Sequence, residues 1–279
     1  MTSTRSGLIV LGAGGMGLAI ARRLGAGRLV FLADNSPKVL DFAASSLRSD
    51  GHEVETQIVD VSSNDSVKDF AKVASGAARL NTVVNTAGIS PGMGTARRIF
   101  EVDLLGTANV IDAFLEVMPP GSSLISIASI AGYLVRKAID SELEKHLATS
   151  PTEQLLDLYA ADLEGSPELA YGISKWGNIV RMQAAVRQGQ KKGVRLNTIS
   201  PGVIMTAMIR KELESELGDR IRNMIPETPI PRAGCADEIA SLVAFLSGPD
   251  AGFINGADFV IDGGATAASR FSDPILELV

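Results

Sequence analysis

The sequence is poor in the residues that build cross-links, metal sites and polyanion-binding surfaces. It has one cysteine, one tryptophan and two histidines in 279 residues. A lone thiol, Cys235, excludes an intrachain disulfide framework and fits a reducing compartment, so a cytoplasmic protein is expected. His52 and His146 have no ligand-spaced partners, and no metal site is expected. Basic residues are outnumbered, with 26 Lys and Arg against 32 Asp and Glu and a net charge of −6. That balance leaves no electropositive footprint for nucleic acid or an anionic membrane surface. No apolar run is long enough to span a bilayer. The N-terminal "MTSTRSGLIVLGAGGMGLAIA" has the outline of a signal peptide, with a basic residue, an apolar run and small residues. Five glycines between Gly7 and Ala21 make a poor helical signal core, so the segment is read as part of the fold.

What the chain does have is alternation. It is 46% hydrophobic and 21% charged, a globular balance with enough apolar residues for a large core. Short apolar runs read as strands: "LIVL" (8–11), "LVFLA" (29–33), "TQIVD" (56–60), "NTVVN" (81–85), "SLISIA" (123–128), "VRLNTIS" (194–200) and "DFVID" (258–262). They lack polar alternation, so most should be buried on both faces, as in a parallel sheet. Segments 16–25, 63–75, 96–117, 171–190 and 236–247 read as helices between them. The pattern predicts a single doubly wound α/β domain over residues 1–279, about seven parallel strands with helices on both faces. The stretch 134–169, rich in Glu, Asp and Leu, is predicted to be a helical insertion. Leu143, Leu147, Leu155, Leu156 and Leu158 suggest one apolar helix face. Two readings stand for it: a solvated helix pair covering the sheet edge, or a wall of a substrate cleft or a subunit contact.

After the first strand comes "GAGGMG", with Gly12, Gly14 and Gly17 in the spacing Gly-x-Gly-x-x-Gly. The motif alone is weak, but here it follows a strand and opens a helix, and Asp34 closes the second strand 20 residues after Gly14. Together these make a dinucleotide-binding fingerprint. Gly12 permits the tight turn, Gly14 lets backbone approach a pyrophosphate at the helix N-terminus, and Gly17 lets helix pack on strand. Asp34 can accept hydrogen bonds from ribose hydroxyls and would repel a 2′-phosphate, which favours NAD over NADP. Arg22 and Arg23 argue the other way but lie well inside the helix and read as solvated surface.

Two Tyr-x-x-x-Lys pairs occur, Tyr133 with Lys137 and Tyr171 with Lys175. Residues four apart share a helix face, and a nearby ammonium helps a phenol act as an acid or base. Only Tyr171 opens a long helical stretch, "YGISKWGNIVRMQAAV". With "DV" at Asp60–Val61, "NTAG" at 85–88, "SIAG" at 129–132, "YGISK" at 171–175, "SPGVIMT" at 200–206 and "DGG" at 262–264, the ordered set resembles the short-chain dehydrogenase/reductase family over nearly the whole chain. The resemblance implies a Rossmann-type domain and an oxidoreductase that passes a hydride between NAD(H) and a secondary alcohol or ketone. It implies Tyr171 as acid/base, Ser129 as its hydrogen-bonding partner, and Lys175 as the residue that binds ribose and lowers the tyrosine pKa. By the same carry-over Gly12, Gly14, Gly15, Met16, Gly17, Asp34, Asn35, Asp60 and Val61 line the cofactor cleft, with Asn85, Ala87, Gly88, Tyr171, Lys175, Pro201, Gly202, Val203 and Thr206. Tyr133 reads as a packed loop aromatic.

Three departures from the family stand out. The glycine loop is one residue short. Asp103, in "EVDLLGT", stands where the family usually has a catalytic Asn that holds a relay water. Ser129 and Tyr171 are 42 residues apart, because 134–169 intervenes. Residues 206–231 are expected to form a lid, where Met205, Met208, Met224 and Ile225 would favour an apolar alcohol or ketone. A homo-oligomer, dimer or tetramer, is expected. The alternative from another class is a non-catalytic NAD(P)-binding sensor on the same fold, for which Asp103 is the one supporting feature.

Overall fold

A computed structural model describes residues 5–157, 165–214 and 218–270. In chain order the elements are β1 (Ser6–Leu11), α1 (Gly15–Leu24), β2 (Leu29–Asp34), α2 (Pro37–Ser49), β3 (Glu53–Ile58), α3 (Asn64–Ala77), β4 (Arg79–Asn85), α4 (Ala96–Ile99), α5 (Gly106–Val117), β5 (Ser123–Ile127), α6 (Ala131–Val135), α7 (Ser141–Thr149), α8 (Pro167–Lys192), β6 (Arg195–Pro201), α9 (Ala207–Leu213), α10 (Gly218–Glu227), α11 (Ala236–Ser247), β7 (Asp258–Ile261) and α12 (Ala265–Ser269). The strands form one parallel sheet in the order β3-β2-β1-β4-β5-β6-β7. Each predicted strand run is recovered. Alternate side chains of the buried strands feed two cores. Ile9, Leu11 and Phe31 pack with Phe70 of α3, Phe114 of α5 and Met182 of α8. Leu8, Val10 and Leu32 pack with Ile20 of α1, Leu47 of α2 and Val243 of α11. Both sheet faces are covered, which is why the strands read as continuous apolar runs.

Three details depart from the sequence reading. β3 starts earlier and is mostly exposed: among its residues only Val54 is buried, and Ile58 is 61% exposed, as befits an edge strand. α2 went unread, although Ser36 caps it by accepting from the Val39 N–H and Pro37 occupies its first turn. The helix expected over 96–117 is interrupted by a π-helical turn, Phe100–Leu105.

The described part of the insertion packs on a helix. α7 packs along α8, with Leu143, Leu147 and Leu155 buried in a third core beside Ile173, Trp176 and Val180; Leu158 lies outside the described residues. Arg181 of α8 ties the segment down, donating to the Leu147 and Ser150 carbonyls and to the Thr152 hydroxyl. Thr152 in turn donates to Asp112 of α5 at 2.6 Å. His146 is spent on the same fold, its ring nitrogens lying 2.9 Å from the Ser150 hydroxyl and 3.1 Å from the Leu155 carbonyl.

Candidate active site

Chain order reverses between β1 and β4, and a cleft of about 370 Å³ opens beyond their C-terminal ends, where open α/β sheets bind ligands. Gly12 leaves β1 with φ +91°. A Cβ there would stand 2.6 Å from the Thr86 hydroxyl, and one on Gly17 would stand 1.8 Å from the Gly12 carbonyl. Gly14, by contrast, faces open space. The turn, the tight packing and the open approach therefore fall on the three glycines as their spacing predicts. The first turn of α1 points its free N–H groups into the cleft, a natural anion site.

Gly15, Met16, Asp34, Asn35, Asp60, Val61, Ala87, Gly88 and Thr206 also line this cleft. The Asp34 carboxylate is fixed by two backbone donors, Ala13 N–H and Ser36 N–H, each at 2.9 Å. Arg22 is turned away onto Asp50 and Ser46 of α2. Burial works against the Asp60 carboxylate, but hydrogen bonds from Ser62 and the Arg98 guanidinium hold its pKa below the ordinary value. Thr206 sits against Gly15 and caps α9, accepting from the Ile209 N–H.

Several predicted cofactor contacts lie elsewhere. Asn85 is 2% exposed and turned into the protein, donating to Thr107 and accepting from the Ala87 N–H. It shapes the exit of β4 from beneath the cleft. Pro201 is buried at the end of β6, its carbonyl taken by the Ile130 N–H. Gly202 is packed against Asp262, and with Val203 it lines a second, smaller cavity shared with Met224 and Ile225. The pairing of β6 with β7 pulls this turn toward Asp262.

The candidate acid/base group is assembled from three separate elements. Ser166 caps α8 by accepting from the Leu169 N–H, and Pro167 opens its first turn. Tyr171 and Lys175 then share one face, with the ammonium 5.2 Å from the phenol ring centroid. Ser129, at the exit of β5, stands beside the phenol and helps to lower its pKa. Asp103, in the π-helical turn, places Oδ2 2.8 Å from Lys175 Nζ with both side chains buried. Gly132 lets α6 lie against α8, since a Cβ there would stand 2.7 Å from Trp176 N. Burial raises the Tyr171 pKa; Lys175 and Ser129 pull it down, while Asp103 and Glu212 push it up. Burial opposes the Lys175 ammonium, yet Asp103 and Tyr171 outweigh it and hold its pKa above the usual lysine value. Burial also raises the Asp103 carboxyl, against the pull of Lys175 and the Ile89 N–H.

The second Tyr-Lys pair is not assembled. Tyr133, on α6, donates to Asp258 at 2.7 Å and packs edge-on against Trp176 at 5.7 Å. Burial and that carboxylate push its phenol well above the ordinary value. Lys137 is exposed. Sequence reasoning missed Glu212, which is 7% exposed on α9 and bears electrostatically on Tyr171. It sits in a run of charged residues with nothing local to single it out.

Residues 7–139 match the short chain dehydrogenase family, and residues 155–266 match the enoyl-(acyl carrier protein) reductase family. The interval between the two matches carries α7. The chain is 37% identical over 265 residues to the short-chain dehydrogenase/reductase bsc3 of Alternaria brassicicola, covering 95% of this chain and 97% of that protein. It is 29% identical over 203 residues to the 3-alpha-hydroxysteroid dehydrogenase/carbonyl reductase of Comamonas testosteroni, covering 68% and 74%. Among solved structures, a glucose/ribitol dehydrogenase of the short-chain type from Brucella melitensis superposes with a TM-score of 0.71 at 26% identity, covering 94% of this chain and 98% of the other.

Proposed function

Because the chain belongs to the short-chain dehydrogenase/reductase family, we propose that it transfers a hydride between NAD(H) and a secondary alcohol or ketone, with Tyr171 moving the proton. The observation that carries this reading is the contact of Tyr171 with Ser129 and Lys175 on one side of the sheet's C-terminal end. The cleft fits a dinucleotide: Gly14 leaves the space its pyrophosphate needs, and the α1 N-terminus faces that space. Asp34 would hold the adenosine ribose hydroxyls, Asp60 and Val61 would flank the adenine, Lys175 would hold the nicotinamide ribose and Thr206 the carboxamide. When bound, the nicotinamide supplies the hydride chemistry. The chain's own residues orient the substrate oxygen toward Ser129 and Tyr171 and move its proton. The fixed Asp34 carboxylate supports NAD over NADP, because a 2′-phosphate would meet it directly. Met208 and Met93 at the cleft support an apolar substrate. The relatives named as dehydrogenases and reductases support an enzyme over a non-catalytic sensor.

We propose further that the chain works in the cytoplasm as a homo-oligomer. Its one cysteine is free and exposed, and Phe245, Phe253 and Val260 leave apolar surface near the β7 edge. No helix among the described residues is long and apolar enough to cross a membrane.

A panel of secondary alcohols and ketones, followed by nicotinamide absorbance with NAD(H) and NADP(H), tests the reading. The expected result is turnover with a higher kcat/KM for NAD(H), narrowed in Asp34→Ser. NADH binding without turnover of any panel member counts against the enzyme, and a wild-type preference for NADP(H) counts against the role of Asp34.

A further inference from the structure

Burial raises the Tyr171 pKa, and the charges around the phenol are divided over its ionised form. Among the described residues three ionisable groups face it: Lys175 one turn along α8, Asp103 from the π-helical turn and Glu212 from α9. Lys175 favours the phenolate, Asp103 and Glu212 oppose it, and Ser129 at the exit of β5 is the neutral partner. The ammonium is not free to act on the phenol alone. Asp103 Oδ2 lies 2.8 Å from Nζ, with the carboxylate side chain 0% and the lysine side chain 6% exposed. Water cannot screen so buried a pair, so the carboxylate cancels much of the field that Lys175 would otherwise exert on the phenol oxygen.

Asp103 is also built to stay in place. Its Oδ1 accepts from the Ile89 N–H at 2.8 Å, and its backbone carbonyl accepts from the Thr107 hydroxyl at 2.8 Å. Gly88 keeps the space around the pair clear, since a Cβ there would stand 3.1 Å from both Asp103 Oδ2 and Lys175 Nζ. A neutral side chain of the same shape could make the Ile89 contact, but only a carboxylate offsets the ammonium.

We infer that Asp103, as a positioning residue acting through Lys175, keeps the Tyr171 phenol protonated at neutral pH, so that the site donates a proton to a carbonyl more readily than it takes one from an alcohol. The inference rests on the hydride-transfer reading of the site. In the reducing direction the carbonyl carbon receives the hydride from reduced nicotinamide, which is left oxidised. The carbonyl oxygen takes the Tyr171 proton, and the phenolate is reprotonated from water. Alcohol oxidation needs the phenolate and therefore waits for alkaline pH.

The first measurement needs neither cofactor nor substrate. Phenolate absorbance of the apoprotein, taken as wild type minus Tyr171→Phe, should show no Tyr171 ionisation below about pH 9, on the acid side of the ordinary tyrosine value. In Asp103→Asn that ionisation should move down by about one pH unit or more, the scale on which a neighbouring like charge acts. With a turned-over substrate in hand, the rising limb of the oxidation profile and the falling limb of the reduction profile should move down together. The limbs report the coupled Tyr171–Lys175–Asp103 system. A wild-type Tyr171 that ionises below pH 9 overturns the inference even if Asp103→Asn fails to fold. So does an Asp103→Asn titration that stays in place or moves up, or one that only Glu212→Gln shifts down. Absence of turnover with a normal apoprotein titration would instead count against the hydride-transfer reading.

Discussion

Tyr133 and Tyr171 each stand four residues before a lysine, so it is their surroundings that give them different chemistry. Tyr171 has Ser129 at its oxygen and Lys175 beside its ring. Tyr133 donates its proton to Asp258, a carboxylate that also accepts from the Ser200 hydroxyl. A phenol committed to a carboxylate cannot give up its proton cheaply. Tyr171→Phe should therefore abolish turnover in steady-state assays while NADH still binds by fluorescence titration. Tyr133→Phe should keep most activity and cost about 1 kcal/mol in chemical denaturation, the usual worth of one hydrogen bond. Activity lost in Tyr133→Phe and kept in Tyr171→Phe would reverse the assignment.

At the scale of elements, the described part of the insertion and α8 form one packed unit. α7 presents Leu143 and Leu147 to α8, and Gly177 leaves room for Leu147 and Leu104. Trp176, next to Lys175 in the chain, donates its indole N–H to Glu144 of α7 at 2.9 Å. Leu147→Ala should lower unfolding free energy by about 3 kcal/mol, the transfer and cavity cost of a buried leucine. It should also alter the emission of the single tryptophan. Arg181→Met should cost about 2–3 kcal/mol, because it strands the buried Leu147 and Ser150 carbonyls, and should leave NADH binding intact. Urea titrations at the level of wild type would show that the insertion is not part of the α8 core. The alternation of leucines made an apolar helix face legible. Its docking surface was not, because α8 is buried nearly all round and shows no stripe to pair with.

At the scale of the molecule, the cofactor cleft lies at the β1–β4 reversal and the acid/base group beyond β5 and α8, so residues distant in sequence share one end of the sheet. The edge strands β3 and β7 differ in chemistry. Most of β3 is exposed and carries Glu53, Glu55 and Gln57, whereas β7 leaves Val260 41% exposed within an apolar run. Charged edges discourage pairing and apolar ones invite it. Light scattering on the purified chain should give two or four times the monomer mass. A monomer across the micromolar range would end the oligomer reading.

The sequence alone determined the order of the strands, most of the helices between them and the glycine turn with Asp34, and it favoured Tyr171 over Tyr133. These depend on periodicity and fixed spacing along the chain, which the backbone obeys locally. Only the tertiary structure decided that Asp103 meets Lys175, that Glu212 bears on Tyr171, that Asn85 turns away from the cleft and that the insertion rests on α8. Each of those is a contact between segments with no common period. It is set by how separate elements come together, as where the π-helical turn and α7 pack against α8, and no property of either partner's neighbours in sequence encodes it.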